Sequence, residues 1–279
     1  ILFFYDGLYF IIKTIQNHNY KNSLWNGIFF GLAALVRPII IGLPFLLAIL
    51  FLIIKIFFKQ YAPQLKFSHP LLMMCSYLIM ILPWISFIYI HTGTFQPLST
   101  SGPTAISAGM TMLTTPGAGG NTINLPRDVV QLIKKMNTVN TQSVTELLKF
   151  LGKSLFSTPI TFLKLLAIKM SRAWYATSEL WWEKPILIVQ APYLFSALAG
   201  MLIVWKNFLQ KKMKNKILII ATLNATILYF WGMAALVLSI LRYVLPVMGL
   251  MIIFSACAVY LILNALYNTK NTNITLLQK

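Results

Sequence analysis

Two arginines stand where long apolar runs of this chain end. Arg37 closes the run over residues 24–36 and is followed at once by Pro38, and Arg242 precedes the run over 244–265. Each is the lone charge in its neighbourhood. A guanidinium is planar, permanently charged and offers paired N–H donors that match phosphate or carboxylate oxygens. Two of them at one membrane edge could hold an anionic headgroup. The plainer use of such a residue is snorkelling, in which the side chain reaches from an apolar run to the headgroups. An ionised side chain at membrane depth is nevertheless a functional candidate by default. Asp6 is the carboxylate inside an apolar run and could partner a cation or help to bind a substrate. His91 stands where another run ends, and Lys169, Arg172 and Tyr243 complete the set of candidate lining residues. No His-Glu-x-x-His, Cys-x-x-Cys or P-loop pattern occurs, so no metal site is expected. Cys75 and Cys257 read as packing residues inside spans.

The elements that must position these residues are membrane helices. The chain is 58% hydrophobic and 10% charged, with a mean hydropathy of +0.75. A soluble domain carries about 25% charged residues. The net charge of +18 would suggest nucleic acid in a soluble chain, but no basic-aromatic cluster supports that partner. Basic residues collect in cytoplasmic loops of membrane proteins, and the lipid bilayer is the partner expected here.

Apolar runs over 1–12, 24–36, 39–58, 70–91, 185–205, 217–238 and 244–265 predict about seven transmembrane helices in an all-α polytopic fold. The stretch 24–58 would reach about 52 Å as one helix, against an apolar core of about 30 Å. Pro38 pushes Arg37 out of helical geometry, which predicts a hairpin turn there; a kink is the alternative and would invert the first helix. Polar connections are expected over 13–21 and 55–69. The connection 206–216 holds five lysines and should be cytoplasmic. Alternation then puts Arg37, Arg242 and the long segment 92–184 outside.

That segment lies between the fourth and fifth spans and separates two membrane parts, 1–91 and 185–279. It carries four of the five acidic residues: Asp128, Glu146, Glu179 and Glu183. Its composition predicts loop over 100–124, a short helix over 126–136 with Asp128 in the first turn, and a capping box at Ser143-x-x-Glu146. Residues 159–178 are amphipathic, with Lys164, Lys169 and Arg172 on one arc and Phe162, Leu166, Met170 and Trp174 opposite. Such a helix either lies in the membrane interface or packs on domain neighbours. The chain begins at Ile1, already apolar and without an initiator Met or signal n-region, which reads as a fragment of a longer protein.

Four stretches carry a resemblance. Gly27-Ile-Phe-Phe-Gly31-Leu32-Ala33-Ala34-Leu35-Val36-Arg37-Pro38 resembles the GxxxGLAxLxRP helix-turn of membrane glycosyltransferases of the GT-C superfamily. The nearest group is the bacterial enzymes similar to dolichyl-phosphate-mannose protein mannosyltransferase and the aminoarabinose transferase of lipid A. Leu82-Pro83-Trp84 before His91-Thr92-Gly93-Thr94-Phe95, Thr158-Pro159-Ile160-Thr161-Phe162-Leu163 before Arg172-Ala173-Trp174, and Arg242-Tyr243-Val244-Leu245-Pro246 follow in the same order. The Arg-Asn usual after Pro-Trp is missing, and Asp6 stands roughly where many relatives carry Glu.

The resemblance implies an all-α glycosyltransferase of the bacterial cytoplasmic (inner) membrane, with its active side outward. It implies a polyprenyl-phosphate-linked sugar as donor, with Arg37 and Arg242 on the donor phosphate. The family's carboxylate base lies in the first outer loop, which this chain does not include, so the chain alone is expected to be inactive and its catalytic residue is unknown. The acceptor and any divalent metal are likewise left open. A transporter or flippase for a lipid-linked or anionic substrate is the rival reading, although transporters place ionisable groups in the middle of spans. A scaffold whose outer segment binds a partner is the third.

Overall fold

A computed structural model describes residues 1–58, 65–93, 105, 109, 125–136, 138, 144–177, 180–209, 216–237 and 239–277. They form α1 (Leu2–Asn17), α2 (Tyr20–Val36), α3 (Leu43–Phe57), α4 (Ser68–Thr92), α5 (Arg127–Met136), α6 (Val144–Ser157), α7 (Pro159–Arg172), α8 (Glu183–Leu209), α9 (Ile217–Leu236) and α10 (Leu241–Leu277). Short 3-10 turns lie at Pro38–Ile40 and Leu180–Trp182, and no strand occurs among the described residues. Apart from Ala105 and Gly109, the loop expected over 100–124 lies outside the described residues, as do Ser143 of the capping box and positions 210–215 of the lysine run.

Among the described residues, five helical stretches are long and apolar enough to cross a membrane: Pro38–Phe57, Ser68–Thr92, Glu183–Asn207, Ile217–Leu236 and Leu241–Asn264. The expected count was seven. The difference is α1 and α2, which have 16 and 17 residues and reach about 24 and 26 Å. Their sides, like those of the longer helices, are apolar. Ile79, Ile90, Ile188 and Leu202 are 66%, 77%, 73% and 72% exposed, a density of open apolar side chains that suits lipid rather than water.

The polar connection expected over 13–21 shrinks to a two-residue turn. α1 continues through Lys13 to Asn17, and α2 begins at Tyr20. His18 adopts the left-handed conformation at φ 53°, and the Asn19 side chain accepts the Lys21 N–H at 2.9 Å. Thr14 of this stretch turns inward to a partner on α2, while Gln16, Asn17, Asn19 and Lys21 stay exposed at the helix ends. Ser23 Oγ lies 3.5 Å from Thr14 Oγ1 and 3.0 Å from His69 Nδ1, and all three residues are buried. Tyr20 stacks over His69 at 4.8 Å.

Contacts give the chain directions. Thr14 meets Ser23, Phe10 stacks on Phe29, and Asn26 Nδ2 donates to the Gly7 carbonyl at 2.6 Å, so α1 and α2 are antiparallel. Along α2 and α4 the numbers rise together: Ser23 with His69, Gly27 with Met73 and Ser76, Gly31 with Met80. These two helices are parallel. A Cβ on Gly27 would sit 2.1 Å from the Met73 carbonyl oxygen, so the close approach needs a residue without one. Phe45 of α3 then returns to the ring of Tyr77 at 5.8 Å. The chain therefore reverses at Arg37–Pro38, as the hairpin expectation required.

α8 and α10 are also parallel. Tyr193 Oη donates to the Met248 carbonyl, Ser196 and Ser255 share a hydrogen bond, and a Cβ on Gly200 would overlap the Phe254 carbonyl. α9 packs against both α10 and α3 and links this group to the first four helices. One core runs through both, with Phe4 edge-on to Phe230 at 5.2 Å and Tyr5 Oη donating to the Pro246 carbonyl at 2.8 Å.

α5, α6 and α7 build a second, smaller core. Val129, Leu132, Ile133 and Met136 of α5 meet Phe162 and Leu165 of α7. α5 carries Asp128 in its first turn, as expected. The Phe162 face of α7 is thus packed on protein as in a domain helix. Its opposite arc does not face water uniformly either, because Lys169 and Arg172 are buried.

Candidate functional site

The turn that carries Arg37 is held from three sides. Pro38 forces the preceding residue towards extended geometry, and Arg37 has φ −137° and ψ 102°. Its N–H still closes α2 on the Ala33 carbonyl at 2.8 Å. Tyr229 Oη, reaching from α9, accepts the Gly42 N–H at 2.9 Å and donates to the Ile39 carbonyl at 2.6 Å. Tyr77 Oη, from α4, donates to the Ile41 carbonyl at 2.9 Å. A tyrosine hydroxyl in apolar surroundings needs a polar partner. Here two of them pair with the backbone groups that the turn leaves outside a helix.

Arg242 lies in the first turn of α10. Its guanidinium sits 5.2 Å from the Tyr243 ring centre, with Nη2 3.5 Å from Tyr243 Oη. Pro246 has no N–H, so it cannot close the helical hydrogen bond to the carbonyl of Arg242 four residues back. Arg37 Nη1 donates to that carbonyl at 3.2 Å. The two candidate arginines, 205 residues apart, therefore meet. The Arg-Tyr-Val-Leu-Pro spacing itself creates the acceptor that joins them. Both side chains remain exposed, so their other N–H donors are open to a ligand.

Behind this rim lies a buried layer. Lys169 Nζ donates to the Val237 carbonyl at 3.0 Å, at the C-terminal end of α9, where a cation complements the helix dipole. Burial pushes the Lys169 ammonium down to about 7. Arg172 forks onto Glu183, with Nη2–Oε1 at 2.8 Å and Nη1–Oε2 at 3.4 Å. Their side chains are 6% and 11% exposed. This pair staples the end of α7 to the start of α8. Trp231 Nε1 donates to the Met170 carbonyl and the Leu241 N–H to the Ala176 carbonyl, so α7 is also tied to α9 and α10. Lys169 and Arg172 thus belong to the frame of the site.

The other expected lining residues are placed differently. Tyr243 is the aromatic support of Arg242. His91 is exposed at the end of α4, where Nδ1 is 2.8 Å from the Phe87 carbonyl and the ring packs on Phe87. No described hydrogen bond joins it to either arginine. Asp6 is half-buried on α1 and makes no ion pair with them among the described residues. Cys75 is exposed on α4 rather than packed, and Cys257 is half-buried. Among the described residues, no three His, Cys, Asp or Glu side chains gather as metal ligands.

An apolar cavity of about 550 Å³ lies between α8, α9 and α10. Trp174 and Trp231, with ring centres 5.9 Å apart, line it together with Leu194, Met201 and Met251. Sequence reasoning missed Tyr77, Tyr229, Glu183 and this cavity. Tyrosines inside strongly apolar spans were the available signal for the first two. No family model, curated protein or solved structure matches the chain.

Proposed function

We propose that this protein is a membrane glycosyltransferase that moves a sugar from a polyprenyl-phosphate donor to a lipid, glycan or protein acceptor at the outer face of the cytoplasmic membrane. The observation that carries the reading is the junction of Arg37 and Arg242. Two exposed guanidinia are fixed at one end of the helices, and an apolar cavity between α8, α9 and α10, whose lining includes neither arginine, suits an isoprenoid chain. In this reading α1 and α2 complete seven crossings, and 92–184 lies outside with the arginines.

The acceptor hydroxyl oxygen forms a bond to the anomeric carbon of the sugar while the bond from that carbon to the phosphate oxygen breaks. The electron pair leaves on polyprenyl phosphate, whose growing charge Arg37 and Arg242 stabilise. The acceptor proton goes to a carboxylate base, which is not assigned to any residue here. A transporter is less well supported. Within the five candidate spans the described Asp, Glu, Lys, Arg and His residues stand near the ends, as His69, His91, Glu183 and Arg242 do, and Asp6 within α1 is the exception, whereas an ion or substrate pathway needs them midway.

The test uses membranes from cells with and without the protein, supplied with radiolabelled polyprenyl-phosphate sugar. Protein-dependent retention of the labelled donor is expected, and transfer of label to an acceptor fraction would place the carboxylate base within this chain. If membranes containing the protein neither transfer the label nor retain the donor above control membranes, the reading is wrong.

A further inference from the structure

A second cavity lies away from the arginines, in the module formed by α5, α6 and α7. α6 and α7 meet at a sharp elbow, bent by 116°. Pro159 starts α7, and Thr158 before it has φ −138° and ψ 60°, outside helical geometry. The inside of the elbow does not close on α5, and a hollow of about 330 Å³ remains. That is the size of the smaller ligand pockets, which run from about 300 to 1,000 Å³.

The lining has a definite chemistry. Lys135 of α5 and Lys153 of α6, both exposed, line it from different helices. The described ion pairs are Lys164–Asp128 and Arg172–Glu183, and neither Lys135 nor Lys153 takes part in them. Asp128, which also lines the hollow, is already balanced. Its Oδ2 accepts from Lys164 Nζ at 3.0 Å and Thr161 Oγ1 at 3.1 Å, and the Lys164 bond holds the carboxyl below its usual range. The hollow is therefore left with uncompensated positive charge.

Its remaining polar groups suit hydroxyls. The Ser154 and Thr158 hydroxyls, which line the hollow, donate to the Phe150 and Ser154 carbonyls of α6 at 2.8 and 3.2 Å, which leaves their oxygens free to accept. The Gln131 side chain adds both a donor and an acceptor. Phe150 and Leu132 supply an apolar wall, a surface for the C–H face of a ring.

We infer that this hollow binds a hydroxyl-rich anionic group of monosaccharide size, such as a phosphorylated sugar or the polyhydroxy phosphate head of a lipid. The two sources share one chemistry: a phosphate between Lys135 and Lys153, and hydroxyls on Gln131 and the acceptor oxygens. The site is separate from the donor site and stands whether or not the protein is a transferase.

The experiment is calorimetric titration of the full chain in phosphatidylcholine nanodiscs with glucose 1-phosphate, glucose and inorganic phosphate. Glucose 1-phosphate should bind saturably and at least ten-fold more tightly than either part alone. Lys135→Gln and Lys153→Gln should each weaken it by roughly five-fold, and together by more than ten-fold, as two partly exposed charge contacts would. Lys134→Gln, which lies outside the hollow, should leave it unchanged. Gln keeps helix propensity, and circular dichroism would confirm the fold of each variant. Nanodiscs containing phosphatidylglycerol separate the sources: competition assigns the anion to a lipid head, and no competition assigns it to a soluble sugar phosphate. Equal binding of glucose, or binding by the double lysine variant equal to that of the parent, would overturn the inference. So would the absence of both sugar-phosphate binding and lysine-dependent phosphatidylglycerol binding.

Discussion

Four basic side chains gather near one end of these helices, and they divide into two pairs. Lys169 and Arg172 are buried and paired within the protein, on the Val237 carbonyl and on Glu183. Arg37 and Arg242 are exposed, and the described bonds of their guanidinia are one backbone carbonyl and one weak tyrosine contact. The first pair holds α7, α8 and α9 together. The second is held in place by that framework and keeps donors to spare. Positive charge alone does not mark a binding residue; what matters is how many of its hydrogen bonds the protein has already used.

The comparison breaks most easily at the Arg172–Glu183 pair. Removing one partner leaves the other charge buried and uncompensated, at a cost of about 3–5 kcal/mol. Arg172→Ala and Glu183→Ala should each lower thermal stability strongly, and Arg172→Met with Glu183→Leu should restore much of it. Denaturation in detergent would show this. If the single variants melt like the parent, Arg172 is not part of the frame.

Tyr229→Phe comes next. It leaves the Gly42 N–H and the Ile39 carbonyl without their partner and should cost about 1–3 kcal/mol. Because the same hydroxyl fixes the turn, donor binding should weaken along with stability. A loss of stability with unchanged binding would separate the turn from the site.

Lys169 gives a smaller, pH-dependent effect. Its pKa lies near 7 in the folded protein and near 10.5 when unfolded, so the unfolded chain binds more protons between those values. Stability should therefore rise from pH 7 towards pH 10.5 and lie at its lower level below pH 7. Lys169→Met should flatten that rise, as melting temperatures at pH 6.5 and pH 9 would show. The same rise in the variant would mean that another group causes it.

Much of this arrangement was legible in the residues. Apolar length placed α4, α8, α9 and the start of α10, and the Arg37-Pro38 dipeptide placed the reversal. Pro126 and Asp128 placed α5. The turn at His18 was not legible, because a polar run reads as a connection unless its partners are known. Thr14 and Ser23 find each other and His69 only after the helices pack. The burial of Lys169 and Arg172 was hidden for a related reason. Helical periodicity shows that they share a face, but not that this face meets a carbonyl and a carboxylate rather than water. The link between Arg37 and Arg242 needed both the Pro246 spacing and the fold, since an orphaned carbonyl has no address in the sequence.

That carbonyl supplies the most direct test. In the parent, Arg37→Ala removes a ligand contact and also the partner of the Arg242 carbonyl. Pro246→Ala restores a backbone N–H to that carbonyl, so in its background Arg37 no longer has a structural duty there. The measurement is affinity for polyprenyl phosphate in nanodiscs for Arg37→Ala, Arg242→Ala and both, each with Pro246 and with Pro246→Ala. Stability should change by less than about 1 kcal/mol in the arginine variants. Binding should fall by roughly ten- to a hundred-fold per arginine, the worth of a charged hydrogen bond, and the fall at Arg37 should persist with Pro246→Ala. If polyprenyl phosphate binds the double arginine variant as it binds the parent, or if Pro246→Ala abolishes the cost of losing Arg37, the arginines are structural anchors and the proposed donor site is wrong.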